Sequence, residues 1–435
     1  MKYEFSQAFA EKLDAQDNLR GLRQQFHIPR YKGKPVTYFT GNSLGLQPER
    51  TRKFVETELD NWQELGVEGH FKGNRPWMEY HKLSKQVLGD LVGAGPTEVV
   101  AMNSLTTNLH LLMVSFYCPT PQRYKIIIEA GAFPSDQYAV HSQITFHGYD
   151  PGEALIELKP REGEHTLRTE DITTCIEQAG DTLALVLLSG VQYFSGQFFD
   201  MRAITLAGHM AGAKVGFDLA HAIGNVPLEL HDIGADFAVW CTYKYLNAGP
   251  GNIGGAFVHE RHAHNTDLKR FAGWWGHNEE RRFLMEKDFA PMPGVDGWQL
   301  SNTNVIASAA LLASLSLFKE VGMLQLREKS LQLTGYLAYL VGEINRSGQD
   351  KIEIITPDNE DERGCQLSLS IGREGKKIFN ILSEQGIIVD WREANLSSDG
   401  VGIMRAAPVP MYNTFSDVFK LGETLKSAIK MTNEQ

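Results

Sequence analysis

Two short segments carry the residues best placed to do chemistry. Val215-Gly-Phe-Asp218-Leu-Ala-His221 ends an apolar run with an acid and then a histidine. Lys244, 26 residues on from Asp218, ends another in Trp240-Cys-Thr-Tyr243-Lys244, ahead of a glycine-rich loop. In α/β sheets, ligands bind at the carboxyl ends of strands. A lysine placed there can be desolvated, which lowers its amine pKa and lets it form a Schiff base. An aspartate in the same crevice can pair with a protonated pyridine nitrogen, which keeps pyridoxal phosphate effective as an electron sink. A plain ion pair at the sheet's end would use the same two residues.

A phosphate seat strengthens the first reading. Asn103-Ser-Leu105-Thr106-Thr-Asn108 precedes an apolar helical run, so hydroxyls and free backbone N–H groups converge at a helix N-terminus. Helix capping alone would also account for the serine and threonines. Phe133, in Ala132-Phe-Pro-Ser-Asp136 after the strand-like Ile126-Ile-Ile128, can stack on a planar ring or sit in the core.

Other patterns point less far. Gly249-Pro-Gly251-Asn-Ile-Gly254 fits G-x-G-x-x-G, but a dinucleotide fingerprint opens a helix and Gly255-Ala-Phe-Val-His reads as a strand. Gly41-Asn-Ser43-Leu-Gly45 fits a nucleophile elbow, yet almost no chain precedes it to build the flanking strands. His259, His262 and His264 lie in a polar turn without carboxylates or thiolates at ligand spacing and are expected at the surface, so no metal site is expected.

These residues need a scaffold, and the chain is long enough to make one. It has 435 residues, 42% hydrophobic and 22% charged, which suits a globular protein of two domains. Net charge is 42 − 53 = −11, which gives no general attraction to nucleic acid or anionic lipid. No run reaches the ~18 apolar residues of a membrane span, and Ile306 to Phe318 reads as a core helix. The N-terminus lacks an apolar leader, and Cys118, Cys175, Cys241 and Cys365 form no C-x-x-C pair, so a reducing cytoplasm without disulfides is expected.

Apolar runs at Lys125-Ile-Ile-Ile-Glu, Leu183-Ala-Leu-Val-Leu-Leu, Lys214-Val-Gly-Phe-Asp and Phe237-Ala-Val-Trp-Cys alternate with helical periodicity. They predict strands buried on both faces of a mostly parallel sheet sandwiched by helices. Beyond Asn304 the pattern predicts one long helix to about Ile344. Strands follow at Lys351, Gln366, Ile387-Ile-Val-Asp and Val401, with a helix near Lys376 to Glu384 and a closing helix: a smaller α+β domain. The expected division is an N-terminal arm, 1–45, packing with the small domain, a large cofactor-binding domain, 46–305, and the small C-terminal domain, 306–435.

Taken in order, several segments resemble the kynureninase family. They are Gly41-Asn-Ser-Leu-Gly-Leu-Gln-Pro48, Asn74-Arg-Pro-Trp77, Leu105–Leu112, Ala132–Asp136, Phe217–Asn225, Thr242–Gly251, Gly273-Trp-Trp-Gly-His277 and Arg405-Ala-Ala-Pro-Val-Pro410. The resemblance implies a fold-type-I pyridoxal-phosphate enzyme, α/β with a large and a small domain, and a homodimer with active sites at the subunit interface. It implies hydrolytic Cβ–Cγ cleavage of L-kynurenine or its 3-hydroxy form, giving L-alanine and anthranilate or 3-hydroxyanthranilate.

By the same resemblance Lys244 holds the cofactor covalently and later moves the Cα proton, while Tyr243 contacts the phosphate and serves as an acid/base group. Asp218 partners the pyridine nitrogen, and His221 makes a further cofactor contact. Leu105 and Thr106 belong to the phosphate segment, and Phe133 and Asp136 to the ring-stacking group. Trp274 and Asn302 reach the cofactor from the other subunit. Arg405 takes the substrate carboxylate, a task suited to its planar fork. An arginine on an edge strand facing water is the plainer account of that residue. His277 and Asn302 line the aryl end of the substrate, and Ser43 is placed on the substrate side. Trp275 stands where some relatives carry Phe.

Another fold-type-I reaction, transamination or cysteine desulfuration, would share Asp218, Lys244 and the phosphate seat. A desulfurase also needs a reactive loop cysteine, whereas Cys365 sits beside a strand-like run and is expected to be buried and inert.

Overall fold

The computed structural model describes residues 2–348, 352–393 and 402–433. The expected strand starts at Lys351 and Val401 lie outside them. The large sheet has seven strands: β1 (Val99–Ala101), β2 (Lys125–Glu129), β3 (Leu155–Leu158), β4 (Leu183–Ser189), β5 (Lys214–Asp218), β6 (Phe237–Trp240) and β7 (Gly255–Val258). Their order in space is β1-β7-β6-β5-β4-β2-β3. Only β7 runs against its neighbours; the pairs among β6, β5, β4, β2 and β3 are parallel.

The apolar runs become strands because both of their faces are covered. Ile127, Val186, Leu188, Val215 and Phe217 point into the core on one side. Ile126, Ile128, Leu185, Leu187 and Val239 point into the core on the other. Each such side chain contributes about 1.5–3 kcal/mol by leaving water, so exposing either face would be prohibitive. Parallel pairing also brings the carboxyl ends together. Ser189 of β4 and Asp218 of β5 are register partners, and Glu129 ends β2 alongside β4.

The long helix expected after Asn304 is two helices, Val305–Val321 and Met323–Ser347, bent by 83° at Gly322. Gly322 adopts φ +83°, a left-handed conformation that stops the first helix. Asn304 caps that helix by accepting the Ala307 N–H. Leu311, Leu315 and Phe318 join the large-sheet core, whereas Leu333, Leu337, Leu340 and Ile344 join a second core with Ala10, Leu13 and Phe39. The two cores therefore meet inside Met323–Ser347. No single helix among the described residues is long and apolar enough to cross a membrane.

The smaller sheet has the antiparallel order Glu353–Ile354, Leu367–Ser370, Ile403–Ala406, Asp390–Arg392. The single strand expected over Ile387–Asp390 divides. Ile387–Ile388 pairs in parallel with Thr37–Tyr38 near the N-terminus, and Asp390–Arg392 joins the small sheet. Arg405 thus lies on an inner strand and is 1% exposed, which overturns the edge-strand account.

The histidine turn also differs from expectation. His264 is exposed, but His262 is buried, with Nε2 2.7 Å from Asp236 Oδ1. His259 is half-buried; its Nδ1 accepts the Arg261 N–H and its Nε2 donates to the His231 carbonyl. Carboxylates do approach, from residues far off in sequence: Glu98 lies near His231 and His259. Glu98 is already taken by the N–H groups of Gly95 and Glu260 and by His231 Nδ1.

Candidate active site

Strands β5 and β6 are adjacent and parallel, so Asp218, at the end of β5, and Lys244, four residues past β6, share one carboxyl edge. Lys244 Nζ donates to His221 Nε2 at 3.0 Å. Burial, reinforced by the Lys244 charge, pushes the His221 imidazole well below its ordinary pKa, so it is neutral and free to accept. Its Nδ1 is buried and has no partner among the described residues.

Asp218 is buried beside Asp136, which lies in the first turn of helix Pro134–Phe146. Burial raises both carboxyl pKa values, and the Asp218 charge drives Asp136 well above the carboxylate range. Asp218 also accepts the Ala220 N–H at 2.6 Å and faces Lys244, so the pair keeps its proton on Asp136 and its charge on Asp218. A third carboxyl, Glu129, is raised by burial while accepting the Ser189 hydroxyl at 2.5 Å.

Around this edge two helices begin. Leu105 and Thr106 open helix Leu105–Phe116, and the Thr106 hydroxyl lies 3.2 Å from that of Ser135 at the start of the neighbouring helix. Ser104 at the N-cap makes no side-chain capping bond, which leaves first-turn N–H groups for another acceptor. Gly254 allows the loop after β6 to run against this helix start: a Cβ there would lie 2.9 Å from the Leu105 nitrogen. Close packing, rather than nucleotide binding, accounts for that glycine.

Phe133 has its ring 5.7 Å from Lys244 Nζ and edge-on to Tyr193 at 5.3 Å. At 44% exposed it is no core residue. Burial raises the Tyr243 phenol well above its ordinary pKa, and Cys241 adds to this, so the hydroxyl keeps its proton and can donate. The Tyr243 carbonyl accepts the Gly45 N–H at 2.8 Å. A Cβ on Gly45 would lie 2.3 Å from the Lys244 carbonyl, so Gly41–Gly45 is a turn packed on the lysine loop. Ser43 lies within this turn, where its N–H closes onto the Thr40 carbonyl.

Leu105, Thr106, Phe133, Asp136, Asp218, His221, Tyr243 and Lys244 all line one cavity of about 70 Å³. Arg405 stands beside it through Tyr193, a lining residue whose carbonyl accepts Arg405 Nη1 at 2.6 Å. Ser43, Trp274, His277 and Asn302 lie outside that cavity. Trp274 is 42% exposed and Asn302 is exposed, whereas His277 is buried and accepts the Ala290 N–H on Nδ1. Cys365 is fully buried, and burial pushes its thiol up to about 12, which makes it inert as a nucleophile.

Sequence reasoning missed Glu129, Ser189, Tyr193 and Asp390. The first two end apolar runs as Asp218 does, and that signal could have flagged them. Tyr193 sits in an irregular loop and carries no periodic signal.

The cavity suits a phosphorylated, planar, cationic heterocycle bearing a carbonyl. It offers an amine, a buried anion, an open aromatic face and a helix start with free donors. This α/β fold is the one seen in cysteine desulfurases. A cysteine desulfurase of Thermococcus onnurineus NA1 superposes with a TM-score of 0.75 at 16% identity, over 91% of this chain and 95% of that one. The cysteine desulfurase CsdA of Escherichia coli gives 0.74 at 18%, over 96% and 98%.

Sequence relatives narrow this further. The model of the kynureninase C-terminal domain matches residues 326–425. The kynureninase of Flavobacterium psychrophilum is 53% identical over 97% of both chains, and that of Myxococcus xanthus 55% over 98% of this chain and 97% of its own. The chain belongs to the kynureninase family.

Proposed function

We propose that this chain is a pyridoxal-phosphate-dependent hydrolase that cleaves the Cβ–Cγ bond of L-kynurenine, or of 3-hydroxykynurenine, to L-alanine and anthranilate or its 3-hydroxy form. The observation that carries this reading is Lys244 Nζ held 3.0 Å from a neutral His221 in the cavity that also holds Asp218 and Phe133. Lys244 would hold the cofactor's carbonyl carbon and Asp218 its ring nitrogen. Phe133 would cover its ring, and Thr106 with the Leu105 helix start would take its phosphate. When bound, the cofactor supplies an electron sink for the carbon bearing the substrate amine.

The chain's own groups do the rest. Asp218, kept anionic by passing the shared proton to Asp136, holds the ring nitrogen protonated. Lys244 moves the Cα proton. Tyr243, a protonated phenol at the same edge, serves as the acid/base group near the ketone as water adds and the carbon–carbon bond breaks. Arg405 anchors the substrate carboxylate.

The protein works as a cytoplasmic homodimer in which Trp274 and Asn302 complete the partner's site, and His277 with Asn302 lines the aryl end of the substrate. The exposed apolar side chains Phe271, Trp274 and Met285 support such an interface. The arm 1–45, the large domain 46–305 and the small domain 306–435 form its working parts, with the junction spread into Met323–Ser347.

The test is anthranilate fluorescence released from L-kynurenine by the protein supplied with pyridoxal phosphate, run beside 3-hydroxykynurenine. Release from either substrate is the expected result. No release from either by protein that has taken up the cofactor would bring down the substrate assignment.

A further inference from the structure

Beside Arg405 the small sheet holds two further charges, Asp390 and Arg392, that the reaction as read above leaves unused. Asp390 and Arg405 are register partners on adjacent antiparallel strands, so their side chains leave the same face. Arg405 Nη2 donates to Asp390 Oδ2, and Nη1 donates to the Tyr193 carbonyl. Arg392 Nε lies 3.2 Å from the same Asp390 oxygen. The Nε donor of the Arg405 fork is buried and has no partner among the described residues.

A guanidinium can grip a carboxylate along either of two edges, Nη1/Nη2 or Nε/Nη2. Tyr193 and Asp390 hold Nη1 and one side of Nη2, which leaves Nε and the other side of Nη2. An orphaned donor on a buried arginine is costly, and an acceptor arriving on that edge would remove the cost. Arg392, Asp390 and Arg405 together carry one net positive charge, the complement of a single carboxylate.

We propose that Asp390 is a positioning residue. With the Tyr193 carbonyl it fixes the plane of the Arg405 guanidinium so that the Nε/Nη2 edge meets the substrate's α-carboxylate, and Arg392 steadies Asp390. The inference rests on the reading of Arg405 as the carboxylate-binding group. It adds that the binding edge is chosen by a carboxylate from the neighbouring strand.

The experiment compares holoenzyme carrying Asp390→Asn with the unmodified protein. It measures KM and kcat for L-kynurenine, and inhibition by the amine that kynurenine leaves on losing its carboxyl group. Losing one charge-assisted contact on the fork should raise KM about tenfold, with the loss falling on KM more than on kcat. The carboxyl-free amine should bind within about twofold of its original strength, since it has nothing for the fork to hold.

In an Arg405→Lys background, Asp390→Asn should add less than about twofold, because the edge it orients is already gone. Asp390→Glu, which keeps the charge but displaces it by a methylene, should raise KM by about threefold and serves if the asparagine variant does not fold. An unchanged KM in these variants, or equal weakening of substrate and carboxyl-free amine, would overturn the proposal. If Arg405→Lys alone left KM unchanged, the reading of Arg405 itself would fall.

Discussion

Asp218 and Asp236 are both buried aspartates at the edge of the same sheet, 18 residues apart, and their charges are managed in opposite ways. Asp218 closes β5 at the carboxyl edge; Asp236 precedes β6 at the amino edge, where its N–H bonds the Val215 carbonyl. Burial would raise both pKa values. At Asp236 donors outweigh it: His209 at 2.9 Å, His262 at 2.7 Å and the Val215 N–H at 2.9 Å hold the carboxyl well below the usual range. At Asp218 burial prevails over the Ala220 N–H and Lys244. A structural carboxylate is saturated with donors, whereas the one at the ligand edge is left short of them and can be completed only by something that binds.

The largest expected effect separates the ligand edge from the rest of the fold. Lys244→Ala should lower turnover by about a thousandfold or more and abolish covalent cofactor attachment, seen as loss of the bound cofactor's absorption band. Retained turnover would break the assignment of that edge.

Next come the two aspartates themselves. Asp236→Asn should destabilise the protein by about 3 kcal/mol in urea unfolding, because His209, His262, Lys214 and the Val215 N–H lose the buried carboxylate they converge on. Activity per folded molecule should stay near that of the unmodified protein. Asp218→Asn should do the reverse, lowering kcat/KM by about a hundredfold or more with little loss of stability.

Smaller is Gly45→Ala, which sharpens the comparison from the side of the lysine loop. A Cβ 2.3 Å from the Lys244 carbonyl must push that loop, costing about 1–3 kcal/mol and some activity together.

The remaining test uses pH and reads stability alone. His81 is buried against Trp275, and burial pushes it down to about 4. The unfolded chain binds its proton near the ordinary value of about 6.5, so the His81 contribution is intact above that pH and declines as pH falls toward 4. The loss should reach about 3 kcal/mol, and His81→Gln should flatten it in urea titrations at successive pH values. Asp236 should add little in that window, because its contribution starts to fall only as the unfolded chain's aspartate takes up a proton near 3.8, at the window's lower edge.

Much of this was legible in the sequence, for a physical reason. A charge that ends an apolar run must lie at a sheet edge, which placed Asp218 and Lys244, and proline and hydroxyl residues ahead of helical runs placed Phe133 and Thr106. Resemblance to relatives supplied the roles. The histidine turn misled because Glu98 and Asp236 come to it through tertiary folding and not through local spacing.

Ile387–Asp390 read as one strand because alternation says nothing about which sheet a residue joins; it splits between two. The same blindness hid Asp390, whose meaning depends on its register opposite Arg405. The long helix read as unbroken because Leu317-Phe318 and Leu324-Gln-Leu326 continue the apolar pattern through Gly322, and only the backbone turn at that glycine stops it.

The most direct test of the central claim is anthranilate release from L-kynurenine by the unmodified protein, Asp218→Asn and Asp236→Asn, each normalised to the folded, cofactor-loaded fraction. Turnover is expected from the unmodified protein, with a similar rate for Asp236→Asn and a rate about a hundredfold lower for Asp218→Asn. Equal rates for the two variants, or no anthranilate from the unmodified protein, would contradict it.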